Sequence, residues 1–191
     1  MAKVCVVGAG YVGLTTASCL AQLGHTVIGI DVDATKVERL NSGVIPIVED
    51  GLESITQQML QAKRLAFEHG YSDSINASEF VFLCVPTPQD EDGSADLTYI
   101  HEAVTSLLPH LASGSIIVNK STVPVGSTLV VEEIVRREDV FVVSNPEFLR
   151  EGTAVHDFLH PDRIVVGSSN TQAAQRVANL YQSINAQVII C

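Results

Sequence analysis

Val4-Cys5-Val6-Val7-Gly8-Ala9-Gly10-Tyr11-Val12-Gly13 stands at the head of the chain, and no Asp, Glu, Lys or Arg occurs from Val4 to Ile30; the next residue is Asp31. A valine-rich run stops at Gly8, Gly10 and Gly13 complete a G-x-G-x-x-G spacing, and Tyr11 to Leu23 reads as a helix. The uncharged run has the hydropathy of a membrane helix or a signal peptide. Gly8, Gly10, Gly13 and Gly24 interrupt it, however, Thr15, Thr16, Ser18 and Gln22 sit at its centre, and Lys3 is its only positive flank. Buried strand, glycine turn and buried helix in succession produce the same absence of charge.

Outward from that opening, short β-branched runs alternate with longer helix-compatible segments. This predicts an α/β fold, a doubly wound and mainly parallel sheet with helices on both faces, Rossmann-like in type. Strands are expected at Lys3 to Val7, Thr26 to Ile30, Leu65 to Glu68, Phe80 to Val85, Ser115 to Lys120, Val140 to Val143, Ile164 to Gly167 and Val188 to Ile190. Helices are expected at Tyr11 to Leu23, Ala34 to Asn41, Leu52 to Ala62, Leu97 to Leu111, Ser127 to Arg137 and Thr171 to Ser183. Asp33, Asp96, Gly126 with Ser127, and Asn170 supply start signals for four of them. With no repeat, low-complexity tract or linker, residues 1–191 are expected to form one domain. Val188-Ile189-Ile190-Cys191 reads as a core strand with nothing after it, so this domain is expected to be the N-terminal part of a longer protein.

Composition narrows the function classes. At 46% hydrophobic and 17% charged residues the chain can bury a sizeable core. Eleven basic against 22 acidic residues give a net charge of −11, which argues against nucleic acid or an anionic membrane as partner. The four cysteines, Cys5, Cys19, Cys84 and Cys191, form no C-x-x-C pair, and a reducing cytoplasm is expected. None of the six histidines has ligand spacing with a cysteine or another histidine, so no metal is expected.

The glycine spacing has a chemical reading. Gly8 permits the tight turn, Gly10 lets backbone approach a pyrophosphate, and Gly13 allows close helix–strand packing. The amides and dipole at the start of the helix favour the anion, the dipole by roughly 0.3 to 1 kcal/mol and up to ~2 when partly buried. Asp31 would accept hydrogen bonds from adenosine ribose hydroxyls. Against a 2′-phosphate about 5 Å away it would cost about 3 kcal/mol per unit charge at an effective dielectric of ~20, which selects NAD over NADP. The fingerprint also fits FAD, so the cofactor depends on the rest of the chain.

Beyond it stand Val85-Pro-Thr-Pro88, Ser121-Thr-Val-Pro-Val-Gly-Ser-Thr128, Asn145-Pro-Glu-Phe-Leu-Arg-Glu-Gly152 and Pro161-Asp-Arg-Ile-Val-Val-Gly167, with Gly43-Val-Ile-Pro-Ile-Val-Glu-Asp-Gly-Leu52 earlier. In this order they resemble the nucleotide-sugar dehydrogenases, the UDP-glucose and GDP-mannose dehydrogenase family, over essentially the whole chain. The Pro161-Asp-Arg163 version resembles the UDP-glucose enzymes of that family more than the GDP-mannose ones.

The resemblance implies oxidation of a sugar's primary alcohol to a carboxylate, UDP-glucose to UDP-glucuronate with two NAD, through a cysteine thiohemiacetal and thioester. It implies a UDP-sugar as partner and a homo-oligomeric full-length enzyme. It places Gly8, Gly10, Tyr11, Val12, Gly13, Asp31, Lys36, Thr87, Thr122 and Glu151 at the cofactor. Glu147, Phe148, Leu149, Arg150 and Glu151 are placed at the substrate, with Glu147 handling protons and Thr122 placing a water. In a doubly wound sheet these loops would converge beyond the strand ends, where partial desolvation would raise the Glu147 pKa towards neutrality. The proline and threonine motifs also fit strand ends and local turns, Lys36 fits a solvated helix residue, and Arg150 and Arg163 fit either a phosphate or a neighbouring acid. The family's nucleophilic cysteine motif and its catalytic lysine are both missing, so the 191 residues are expected to bind NAD without completing the oxidation. GDP-mannose or a UDP-N-acetylhexosamine as substrate, and a non-catalytic NAD-binding module, are the alternatives.

Overall fold

The computed structural model describes residues 1–89, 95–120 and 127–191. Strands β1 (Lys3–Val7), β2 (Thr26–Asp31), β3 (Leu65–His69), β4 (Phe80–Leu83), β5 (Ile116–Asn119) and β6 (Phe141–Ser144) form one sheet in the order β3-β2-β1-β4-β5-β6. Every pairing within it is parallel. Parallel neighbours need crossovers, and helices supply most of them. They are α1 (Tyr11–Gln22), α2 (Ala34–Asn41), α3 (Leu52–Gln61), α4 (Thr98–Leu107) and α5 (Ser127–Val135), followed by α6 (Ala154–Leu159) and α7 (Thr171–Ala178).

Strand alternation builds two cores. Val4, Val6, Phe80, Phe82, Ile116 and Val118 face one side, where α1, α2, α3, α6 and α7 bury their apolar stripes. Cys5, Val7, Val81, Leu83 and Ile117 face the other, against Ile100, Val104 and Leu107 of α4 and Val131 and Val135 of α5. Both faces are covered, which is why these strands are apolar apart from an end residue such as Lys3 or Asn119.

All eight expected strands form. Helix starts follow the caps: the Asp33 carboxylate accepts the Lys36 N–H at 3.0 Å, and the Asn170 side chain accepts the Ala173 N–H at 2.9 Å. The helices expected to reach Leu111 and Ser183 stop at Leu107 and Ala178, and each continues as a short 3-10 turn. Helix α6 has no counterpart among the expected elements.

The last two strands correct the expectation. β7 (Arg163–Val166) and β8 (Gln187–Ile190) leave the main sheet and form a separate parallel pair. An antiparallel bridge from Ser144 to Gly167 joins that pair to β6. Val188, Ile189 and Ile190, expected in a core strand, are 36 to 40% exposed within the 191 residues. Among the described residues β8 pairs on one side only, with β7, and an edge position leaves apolar side chains partly exposed whatever their hydropathy.

At the β1–α1 turn, Gly8 has φ +92°, and a Cβ on Gly13 would lie 1.7 Å from the Gly8 carbonyl oxygen. Gly13→Ala is therefore expected to cost at least about 3 kcal/mol, a loss of roughly 6 to 12 °C in melting temperature, or to prevent folding. Thermal unfolding followed by circular dichroism measures it; an unchanged melting temperature would refute the close approach.

Candidate functional site

From β1 the chain works outward through β2 to β3, then returns to β4 on the other side of β1. At such a reversal the loops leaving adjacent strands diverge and open a crevice beyond their carboxyl ends. Here it encloses about 640 Å³, in the range of small-ligand sites. It is walled by Gly8 and Gly10 after β1, Asp31 at the end of β2, Tyr71 after β3, Val85 to Thr87 after β4, Lys120 after β5 and Glu147 after β6, while α4 closes it with Tyr99 and Glu102.

Helix α1 begins in this crevice. Gly10 is its N-cap and makes no side-chain capping bond. The first-turn amides of Tyr11, Val12 and Gly13 lack intrahelical acceptors by geometry. A Cβ built on Gly10 would meet no atom within 4 Å, so the backbone there is open to a ligand. Gly13 packs inward, away from the crevice lining.

Asp31 ends β2 and is 7% exposed. Its Oδ2 accepts the Ala9 N–H and the Lys36 ammonium, each at 2.9 Å, and Oδ1 accepts the Asp33 N–H at 3.0 Å. Burial alone would push the carboxyl up; the three donors outweigh it and hold the pKa below the ordinary aspartate value. A carboxylate offers about four acceptor positions, so capacity for one more donor remains. Lys36 thus reaches the rim through Asp31 rather than standing free in solvent.

The opposite wall is built after β5 and β6. Asn145 is buried; its Oδ1 accepts the Tyr181 hydroxyl at 2.6 Å and its Nδ2 donates to the Val165 carbonyl at 2.8 Å. Lys120, 4% exposed, brings Nζ to 3.5 Å from the same Oδ1 and 5.6 Å from the centre of the Phe158 ring. Burial pulls its ammonium pKa down. Glu147 faces the crevice, with Oε2 accepting the Leu149 N–H at 2.6 Å. Phe148 is exposed, and the Arg163 guanidinium lies 5.4 Å from its ring centre. Arg150 forms a two-pronged pair with Asp157 at 2.7 and 3.0 Å, which drives the Asp157 pKa far down. Arg150 therefore has the neighbouring acid that the sequence allowed for.

Thr87 lines the crevice, whereas Glu151 is exposed and outside its lining. Thr122 and the start of its motif lie outside the described residues. Cys5, Cys19 and Cys84 are buried, and burial pushes the thiols up, to about 12 for Cys19 and Cys84. Among the described residues no group of His, Cys, Asp or Glu is placed to hold a metal, and no helix is long and apolar enough to cross a membrane.

The model of the UDP-glucose/GDP-mannose dehydrogenase family, NAD binding domain, matches residues 2–185. The chain belongs to this family. The matched domain identifies NAD as the cofactor, and Gly10 with Asp31 suits it. UDP-glucose 6-dehydrogenase of Pseudomonas aeruginosa is 47% identical over 94% of the chain and 41% of its own length. The Bacillus subtilis UDP-glucose 6-dehydrogenase TuaD is 42% identical over 99% of the chain and 42% of its own. A solved UDP-glucose dehydrogenase from Pyrobaculum islandicum superposes with TM-score 0.92 at 39% identity, covering 100% of this chain and 46% of that one. A GDP-mannose dehydrogenase from Pseudomonas aeruginosa gives 0.91 at 34%, covering 98% and 45%. The chain thus spans less than half the length of these relatives.

Two residues of this family member escaped the reading of the sequence. Lys120 precedes a quoted motif and Glu49 lies inside one, but nothing local marks either as buried beside the site. Asp31 gives a prediction with a definite sign. Its folded pKa is lowered, so its contribution to stability is complete above the ordinary aspartate pKa near 4 and is lost as pH falls through the folded value. Asp31→Ala, which strands the Ala9 N–H, is expected to cost about 1 to 3 kcal/mol at pH 7. The gap to wild type should close in melting curves taken towards pH 3; a gap that widens in acid would contradict this.

Proposed function

We propose that the chain is the cofactor-binding part of an NAD-dependent nucleotide-sugar dehydrogenase that oxidises UDP-glucose to UDP-glucuronate. The observation that carries the reading is the uncapped, side-chain-free helix start at Gly10 sharing one crevice with the rim acid Asp31. The 47% identity to a UDP-glucose 6-dehydrogenase favours that sugar.

When bound, NAD supplies the hydride acceptor. The amides of Tyr11 and Val12 meet the diphosphate, with Gly8 shaping the turn and Gly13 letting α1 pack close to it. Asp31 accepts a ribose hydroxyl and Lys36 braces it; Thr87 and Thr122 complete the cofactor side. Glu147 stands on the substrate side with Phe148, Leu149, Arg150 and Glu151. Its carboxylate relays a proton for the reacting alcohol, and Thr122 places a water. The Lys36 ammonium 2.9 Å from Asp31 offsets part of the acid's charge. Discrimination against a 2′-phosphate is thereby held below the about 3 kcal/mol expected of a bare carboxylate. The covalent step needs a thiolate, and three of the four thiols are buried with raised pKa. The 191 residues mixed with NAD and UDP-glucose are expected to yield no NADH absorbance.

Calorimetric titration tests the cofactor. NAD is expected to bind at least about tenfold more tightly than NADP, a difference of about 1.4 kcal/mol. Asp31→Ala should weaken NAD several-fold and NADP much less; equal losses would remove Asp31 from the ribose. Gly10→Ala should melt within about 2 °C of wild type, because its Cβ meets nothing. It should nevertheless lose about tenfold in NAD affinity, because the methyl occupies the diphosphate's place. A folded wild-type chain that gives no heat with NAD would sink the reading.

A further inference from the structure

Glu49 lies in the loop between α2 and α3 and is 8% exposed. Its Oε2 accepts the Tyr11 hydroxyl at 2.6 Å and the Gly152 N–H at 2.8 Å, and its Oε1 accepts the Ala154 N–H at 2.7 Å. The same Tyr11 hydroxyl lies 3.1 Å from the Arg150 carbonyl oxygen. Burial alone would push the Glu49 carboxyl up, but the donors, with the Val155 N–H among them, hold it below its usual value. Burial and then the neighbouring carboxylate push the Tyr11 phenol up, so it remains a donor at neutral pH. Hydrogen bonds to a carboxylate are the short, strong kind, and these three span 38, 103 and 105 positions of sequence.

We infer that Glu49 is a positioning residue which, through Tyr11, holds the loop of Glu147 to Glu151 in register with the diphosphate-binding helix start, so that cofactor occupancy and the substrate-side loop are linked. The inference rests on the cofactor reading above. Tyr11 is the first residue of α1. Its backbone faces the place of the diphosphate while its side chain ends on Glu49, so a ligand that fixes the one restrains the root of the other. Glu49 passes that restraint to Gly152 and Ala154, just beyond the loop's end. Binding free energies are reciprocal, so a nucleotide sugar that orders the loop favours the cofactor by the same factor.

A carboxylate that merely fastened a surface loop would hold Gly152 and Ala154 equally well with or without the tyrosine hydroxyl. Amide hydrogen exchange on the 191-residue chain separates the two. Saturating NAD is expected to slow exchange at Gly152 and Ala154 by about fivefold or more in wild type, and by less than about twofold in Tyr11→Phe and Glu49→Gln. Should Glu49→Gln fail to fold, Tyr11→Phe, which removes one oxygen, decides alone. Equal slowing in Tyr11→Phe and wild type, or no slowing in a wild type that gives heat with NAD, overturns the linkage and leaves the cofactor reading intact. Absence of heat with NAD overturns both.

Discussion

Helix α1 leaves strand β1 so abruptly that position 13 has no room for a side-chain carbon, because the Gly8 carbonyl oxygen already occupies the space. This close approach orients everything around it. It brings the first turn of α1 to the carboxyl end of the sheet, and it lets the helix bury Leu14, Ala17, Leu20 and Ala21 against β1 and its neighbours. Sheet order then sets the crevice where β1 and β4 part, so the bare helix start and the divergence of the loops coincide.

Two buried carboxylates bracket that turn. Asp31 takes the N–H of Ala9, and Glu49 takes the hydroxyl of Tyr11, on either side of a Gly10 whose missing side chain leaves open space. Ionised carboxylates are costly to bury unless their oxygens are satisfied, and here backbone N–H groups supply most of the donors. Each acid also reaches beyond the turn, Asp31 to Lys36 and Glu49 to Gly152 and Ala154. The turn is therefore anchored from both flanks while its centre stays open, the condition under which a backbone can receive an anion without reorganising. Membership of the UDP-glucose/GDP-mannose dehydrogenase family gives NAD as the cofactor, and Glu147, in the loop after β6, lines the same crevice.

Much of this was legible in the chain because the signals were short-range. Glycine spacing, valine-rich runs and the caps at Asp33 and Asn170 act over a few residues, and the main sheet and most helices follow them. Helix α6 was invisible because six residues are too few to show a 3.6-residue period. The departure of β7 and β8 was invisible because strand apolarity does not reveal how many neighbours a strand has. Arg150 fitted a phosphate or a neighbouring acid on paper, and only the fold, through the turn before α6, brought Asp157, seven positions on, into a two-pronged pair with it.

What the amino-acid order determined alone is the local grammar of the site: where the backbone turns, where a helix starts without a cap, and which acid ends the second strand. These depend on torsional freedom and on hydrogen bonds between near neighbours. Only the tertiary structure decided which side chains share the crevice, that Asp31 grips the turn as well as facing the rim, and that Glu49 ties Tyr11 to a loop more than a hundred residues away. Such contacts follow from the packing of elements on a sheet whose strand order differs from its chain order, and the periodicity of any single segment does not encode that order.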